Sequence, residues 1–220
     1  MKRSRAVYAI ATGFLAAGCV TPRVDGELSS LRSELKEQVA QCATVEAQGV
    51  TKFDALTATS QRLALALQEE IRKGAVTIKQ LQGQLRLSVV QEILFDSGDA
   101  QLREPGQALL EKVFGAIQSI PTRLVTIEGH TDNVPIGAAI ISMYPTNWEL
   151  STGRATAVVR SLESMGVESK DLSATGFGEF RPVATNETEA GRQQNRRIEV
   201  VLTLAAPDES EQASAEPSEE

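Results

Sequence analysis

The sequence predicts an α/β (α+β) sandwich, βαβαββ, with two main helices over a mixed sheet, preceded by a long helical or coiled-coil segment. Three observations predict it. Four short runs rich in alternating or β-branched apolar residues, near 85–94, 123–128, 171–176 and 196–204, read as strands. Two amphipathic stretches between them carry helix start and stop signals. Upstream, no Pro occurs from Arg23 to Glu104, and apolar residues there recur at steps of three and four.

Composition bounds the function. The chain has 220 residues, 41% hydrophobic but only 4% aromatic. That suits one modest core, not a large enzyme barrel. The net charge of −7 excludes a basic nucleic-acid footprint at the level of the whole chain. One His and two Cys exclude a His-rich or Cys-rich metal site within one chain, so no metal and no cofactor is expected. Any Ser-His-Asp triad would have to use His130.

Residues 1–18 read as a targeting segment. Lys2, Arg3 and Arg5 precede the apolar run Ala6–Gly18. As a helix those thirteen residues rise roughly 20 Å, short of a hydrocarbon core of about 30 Å. The small residues Ala16-Ala17-Gly18 lead straight into Cys19, and the pattern resembles the bacterial lipobox. That resemblance implies cleavage before Cys19, lipid on its thiol and amine, and a membrane anchor. Val20, rather than Asp, follows the Cys, which resembles the sorting signal for the outer membrane, with the protein facing the periplasm. Loss of the three basic residues moves the net charge from −7 to −10. In that oxidising compartment Cys42 is a lone thiol, either packed or paired with Cys42 of a second chain.

Residues 19–83 read as a helical spacer. Leu28, Leu31, Leu35, Cys42 and Val45 form one stretch of an apolar stripe. Phe53, Leu56, Leu63, Leu67 and Ile71 form the next, followed by Ile78, Leu81 and Leu85. The heptad breaks near Gly49 and between Leu63 and Ile71, and Gly74 and Gly83 weaken the run. One reading is amphipathic helices folded back on the domain. The favoured one is a coiled-coil stalk, about 88 Å long if residues 24–82 form one straight helix, that makes a homodimer.

Residues 84–204 then form the folded domain, and 205–220, acidic and without apolar period, a disordered tail. The first strand, 85–94, leads to the turn Asp96-Ser97-Gly98-Asp99. Pro105 opens a helix burying Leu109, Leu110, Val113, Phe114 and Ile117, and Pro121 follows its end. Arg123–Glu128 is a strand ending at Gly129-His130-Thr131-Asp132. After a long connection, Thr146 and Glu149 form a capping box for a helix that stops at Gly166. Strands at 171–176 and 196–204 complete the sheet.

Three segments carry chemistry. Asp132 sits just beyond a strand end, where α/β layers place ligands. Asn147, Ser151 and Arg154 share a helical face. Gly176-Phe177-Gly178-Glu179 and Asn195-Arg196-Arg197 form the third. The arginine pair is expected to close the fold beside the last strand rather than to bind a ligand. His130 is expected to pack or hydrogen-bond rather than act as a general base. Glu128 and Asp132 lack anything that positions a water between them, so no hydrolase is expected.

In order, the segments ILFDSGDAQL, IEGHTDNVPI, NWELSTGRATAVVRSLESMGV and LSATGFGEFRPVATNETEAGRQQNRRIEVVL resemble the OmpA-like peptidoglycan-binding domain, in its MotB-like variant. The resemblance spans roughly residues 85–204. It implies non-catalytic binding of the diaminopimelate side chain of peptidoglycan by Asp132 and Arg154. Asn147 would add a hydrogen bond, and Thr131 and Asp96 lie on the corresponding loops. Diaminopimelate ends in one ammonium and one carboxylate on the same carbon. A fixed anion and a guanidinium, which can take a carboxylate bidentately, complement that end. At 153 this chain has Gly where the family has Ala, and a mid-helix Gly costs up to about 1 kcal/mol, so a looser turn under Arg154 is expected. With a lipid at Cys19, the implied function is tethering of the outer membrane to the cell wall. The alternative is a flagellar stator-type wall anchor, which requires a membrane-spanning helix with an acid. Residues 6–18 hold no acid. The apolar loop 136–144 is either a lid or a partner surface.

Overall fold

The computed structural model describes residues 22–81, 83–118 and 123–204. The signal segment, the lipidation site Cys19 and the acidic tail 205–220 lie outside the described residues. Helix α1 (Pro22–Ala66) is followed by α2 (Gln68–Arg72), β1 (Val76–Leu81), β2 (Gln84–Val90), α3 (Gln91–Leu94) and α4 (Glu104–Ile117). Then come β3 (Arg123–His130), α5 (Asn147–Ser164), β4 (Leu172–Gly176), α6 (Glu189–Asn195) and β5 (Arg197–Leu204). The chain divides into two compact units, residues 1–48 and 49–220.

In the first unit, Leu28, Leu31, Leu35, Val39 and Val45 are all exposed, and Cys42 is an exposed free thiol.

The second unit is built on a five-stranded sheet in the order β1-β2-β5-β3-β4. All neighbours are antiparallel except β3 and β4, which are parallel and joined through α5. A parallel pair needs such a crossover, because a tight turn reverses the chain. Alternation sets the faces: Leu85, Leu87 and Val89 of β2 are fully buried, while Arg86 and Ser88 point to the other side. Val125 and Ile127 of β3, and Ile198, Val200 and Leu202 of β5, complete the buried layer. Against it pack Leu109, Leu110, Val113 and Ile117 of α4 and Ala155, Val158 and Leu162 of α5.

The opposite face is polar and paired. Glu128 and Glu199 are direct partners in register. Arg86 bridges them, at 3.1 Å and 2.9 Å, and Arg197 Nε reaches Glu199 at 2.7 Å. His130, whose Nε2 lies 3.9 Å from Glu128, and Arg86 hold the Glu128 carboxyl below its ordinary value, against the effect of burial. Burial pushes Glu199 up, but Arg197 and Arg86 outweigh it and hold it down. Arg86 and Arg197 thus offset the repulsion between the two facing carboxylates.

Three expectations need correction. Residues 76–81 form a strand, not the tail of a helical stripe. The spacing Ile78-Leu81-Leu85 matches helical steps, yet Leu81 is exposed while Leu85 is buried, because a hairpin lies between them. Gly74 and Gly83, which weaken a helix, have φ of +71° and +73° and serve turns on either side of β1. The predicted strand 85–94 ends at Val90, and Gln91–Leu94 make a helical turn, anchored by Gln91 N–H donating to the Arg196 carbonyl. Finally, Leu56, Leu63 and Leu67 are buried in the domain core, so the second part of the spacer belongs to the folded unit. Their stripe is satisfied within one chain. Leu63→Ala is expected to lower unfolding stability by about 2–5 kcal/mol, whereas Leu35→Ala, on an exposed face, changes it by under about 0.5 kcal/mol. Urea denaturation of the full chain measures both.

Candidate ligand-binding site

At the carboxyl end of β3 the chain leaves the sheet through Thr131 and Asp132. Thr131 N–H donates to the Gly178 carbonyl at 2.9 Å, and Phe177 N–H donates to the Gly129 carbonyl at 2.9 Å. These bonds tie the β3 end to the loop after β4. Helix α5 starts alongside. Its N-cap Thr146 Oγ1 accepts from Trp148 N–H at 3.2 Å, and Glu149 Oε2 accepts from Thr146 N–H at 2.8 Å. This is the capping box expected from sequence, and it places Asn147 at the first helical position.

The helix sits unusually close to the strands. A Cβ on Gly129 would lie 2.2 Å from the Ser151 carbonyl oxygen, and one on Gly176 would lie 2.1 Å from Thr152 Oγ1. Only hydrogen fits at either place. Ser151 Oγ also accepts from Gly178 N–H at 3.0 Å. Helix α5, β3 and the loop after β4 are thus locked together.

Between them lies a cavity of about 520 Å³, lined by Thr131, Asp132, Asn147 and Arg154 together with Gln91, Glu92, Phe95, Glu189 and Arg196. Ser97 and Gly98 contribute from the turn after α3, and Ile136, Gly137 and Ile140 from the loop before α5. That apolar loop forms one wall of the cavity. Its size is in the range of small-ligand sites.

Asp132 is 6% exposed. Its Oδ2 accepts from Arg196 Nη1 at 2.7 Å and its Oδ1 from Val134 N–H at 3.1 Å. A carboxylate has about four acceptor positions, so two of these bonds leave room for a ligand cation. Arg154 is 3% exposed. Its Nε donates to the Asp99 carbonyl at 2.8 Å and its Nη1 to Gln91 Oε1 at 2.5 Å, and its guanidinium carbon sits 5.6 Å from the centre of the Phe95 ring. Burial pushes the Arg154 guanidinium down to about 10, against the pull of Tyr144, Asp99 and Asp132, so it stays charged at neutral pH. Two of its five N–H donors have these partners. Asn147 Nδ2 lies 2.8 Å from Glu179 Oε2 and 3.1 Å from the Val134 carbonyl, bridging the loops on either side.

Four of the five sequence-expected ligand residues therefore meet at one cavity. Asp96 does not line it. Its side chain is 72% exposed and pairs with Arg103 at 3.2 Å. Arg196, expected only to close the fold, lines the cavity and holds Asp132, while Arg197 does the closing through Glu199 and the Arg181 carbonyl. Burial works against the Arg196 charge, but bonds to Asp132, Glu189 and Glu92 more than compensate and raise it. Neighbouring arginines at 196 and 197 point to opposite sides of the chain because β5 begins between them. Gln91 was invisible to sequence reasoning because it lay in a supposed strand. Gly153 is a further correction to the expected looseness. A Cβ there would come within 2.9 Å of the Tyr144 ring, so the glycine makes room for that ring against an unbroken helix.

His130 is buried, stacks on Phe177 at 5.3 Å and is no part of the cavity lining. Among the described residues, Glu128, His130 and Glu199 bring ligand atoms within 4.8 Å of one another. Both carboxylates already bond arginines, and a cation there would have to displace Arg86 and Arg197. That donor set suits an ion-pair network better than a metal.

The OmpA family matches residues 94–196. Motility protein B of Bacillus subtilis is 39% identical over 119 residues, covering 54% of this chain and 44% of that protein. Peptidoglycan-binding protein ArfA of Mycobacterium bovis is 34% identical over 110 residues, covering 50% and 32%. Among solved structures, the cell wall anchor of the T6SS from Pseudomonas aeruginosa superposes with a TM-score of 0.59 at 31% identity, covering 66% of this chain and 98% of that one. The chain spans less than half the length of these two curated relatives. Residues 94–196 of this chain are an OmpA family domain, with MotB-like proteins among its relatives.

Proposed function

We propose that this chain binds peptidoglycan without catalysis, taking the zwitterionic end of diaminopimelate in the cavity, and tethers the outer membrane to the cell wall. One observation carries the reading. Asp132 and Arg154 line the same cavity, yet each is fixed by other partners, Asp132 by Arg196 and Arg154 by Gln91 and Asp99. An anion and a cation are thus held apart for a ligand bearing the opposite pair. Asn147 and Thr131 complete the polar lining. The names of the relatives, one peptidoglycan-binding and one a cell wall anchor, support the same chemistry. The test is co-sedimentation of the full chain with purified sacculi: Asp132→Ala and Arg154→Ala each lose binding, and retention by both sinks the site.

The membrane end rests on Cys19. No helix among the described residues is long and apolar enough to cross a membrane. A lipid on Cys19 supplies the anchor, and the exposed stripe of α1 pairs with a second copy, bringing Cys42 to its own counterpart. The likeness to Motility protein B favours a second reading, a wall-anchoring subunit of a proton-driven motor. Mass spectrometry of the mature N-terminus separates them: acylated Cys19 supports the tether, an intact Met1 the motor subunit. Mild oxidation followed by a non-reducing gel tests the pair. A dimer band absent from Cys42→Ser is expected, and a monomer in both counts against it.

A further inference from the structure

Outside the cavity the structure presents an apolar feature that the peptide-binding chemistry does not use. Trp148 and Phe180 stack with ring centres 5.2 Å apart and planes 24° from parallel. Stacked pairs of this kind normally help fill a core, yet these are 47% and 63% exposed. Their placement is not loose. Trp148 follows Asn147, and Phe180 follows Glu179, and the Asn147–Glu179 hydrogen bond of 2.8 Å joins the two segments. The capping box holds the backbone at Trp148, and Phe180 N–H donates to the Phe177 carbonyl at 3.2 Å. Trp148 also borders a groove of about 530 Å³ along the outer side of α5, with Tyr144, Thr152 and Arg160.

We infer that Trp148 and Phe180 form a shelf for a sugar ring of the peptidoglycan glycan strand. This rests on the proposed peptide pocket and names what lies next to it. Three observations favour that occupant. The shelf adjoins the pocket along the chain, because Asn147 lines the one and Trp148 forms the other. A stem peptide held in the pocket is covalently joined to its glycan strand, so its sugars are confined near the pocket mouth at high effective concentration. The acids next to the rings in sequence are both engaged, Glu149 by Thr146 and Glu179 by Asn147, so the ring faces are the apolar part of this surface and suit an N-acetylated, uncharged sugar. The axial C–H groups of a pyranose carry slight positive charge and meet the negative π-faces of the rings. Thr152, Tyr144 and Arg160 offer hydrogen bonds at the rim.

The probes are a disaccharide-tetrapeptide muropeptide and the same tetrapeptide without sugar, titrated calorimetrically into the full chain. Wild type is expected to bind the muropeptide about fivefold more tightly than the bare peptide. Trp148→Ala and Phe180→Ala abolish that ratio while keeping the affinity for the bare peptide. Asp132→Ala loses the bare peptide, a separate outcome that reports on the pocket alone. Trp148 is the chain's single Trp, so its fluorescence also reads contact with peptide-free glycan strands. A glycan-dependent change, lost in Phe180→Ala, supports the shelf even if the bare peptide fails to bind. Equal affinity of wild type for the two probes with no fluorescence change, or a ratio that survives in Trp148→Ala, overturns it and leaves the rings to a protein partner.

Discussion

Asp132→Asn and Arg154→Ala are each expected to weaken binding of the full chain to purified sacculi by about 100-fold. Removing one partner of a buried, hydrogen-bonded charge pair costs about 2–5 kcal/mol, and each 1.4 kcal/mol is a factor of ten. The two substitutions act on opposite ends of the ligand. Asp132→Asn keeps the shape and the neighbours but removes the charge that meets an ammonium. Arg154→Ala removes the fork that meets a carboxylate. Arg154→Lys is expected to recover only part of the loss, because an ammonium cannot donate two parallel bonds to a carboxylate, and serving Gln91 and the Asp99 carbonyl would leave one of its three donors for a ligand. Circular dichroism melts of each variant separate a lost grip from a lost fold. A folded Arg154→Ala that sediments with sacculi like wild type would contradict the assignment.

The largest effect on stability is expected at the glycines beneath α5. Gly129→Ala is expected to cost about 3 kcal/mol, since its Cβ would meet a backbone carbonyl that cannot swing aside, 2.2 Å away. The strain has two outlets: β3 shifts, taking Thr131 and Asp132 with it, or α5 shifts, taking Asn147 and Arg154. Either way the two charges lose their spacing, so the variant is also expected to bind sacculi poorly below its melting temperature. Gly115→Ala is the control. It lies in α4 of the same folded unit, and nothing stands within 4 Å of its added Cβ. Its stability should stay within about 0.5 kcal/mol of wild type or rise slightly. Equal stability of the two variants would show that α5 and β3 can separate freely.

The glycine result explains why some of the site was legible in sequence and some was not. Asp132 and Arg154 stand in local patterns, one just beyond a strand end and one on the helix face it shares with Asn147 and Ser151. Their assignment to opposite ends of a zwitterion comes from the family resemblance, with which a carboxylate and a guanidinium agree. Arg196 looked like half of a structural pair, because sequence does not say which of two adjacent arginines turns toward a cavity. That depends on where β5 begins. Asp96 is implied by the resemblance because it lies on the corresponding loop, and that turn does reach the cavity through Ser97 and Gly98. Its own side chain points to Arg103 instead.

From sequence alone came most of the strand and helix periods and the caps at Thr146 and Gly166. These are local properties, set by alternation and by backbone groups within a few residues. Tertiary structure decided whether the apolar stripe continued as a stalk or entered the core. Leu35 and Leu63 carry the same local pattern, yet one is exposed and the other has no exposure at all. It also decided that 76–81 pairs with β2, that Gln91 and Arg196 hold Arg154 and Asp132, and that a lone Trp stacks in the open. The site contacts among them join residues 32, 63 and 64 positions apart, where burial and hydrogen-bond partners arise only once the sheet has closed.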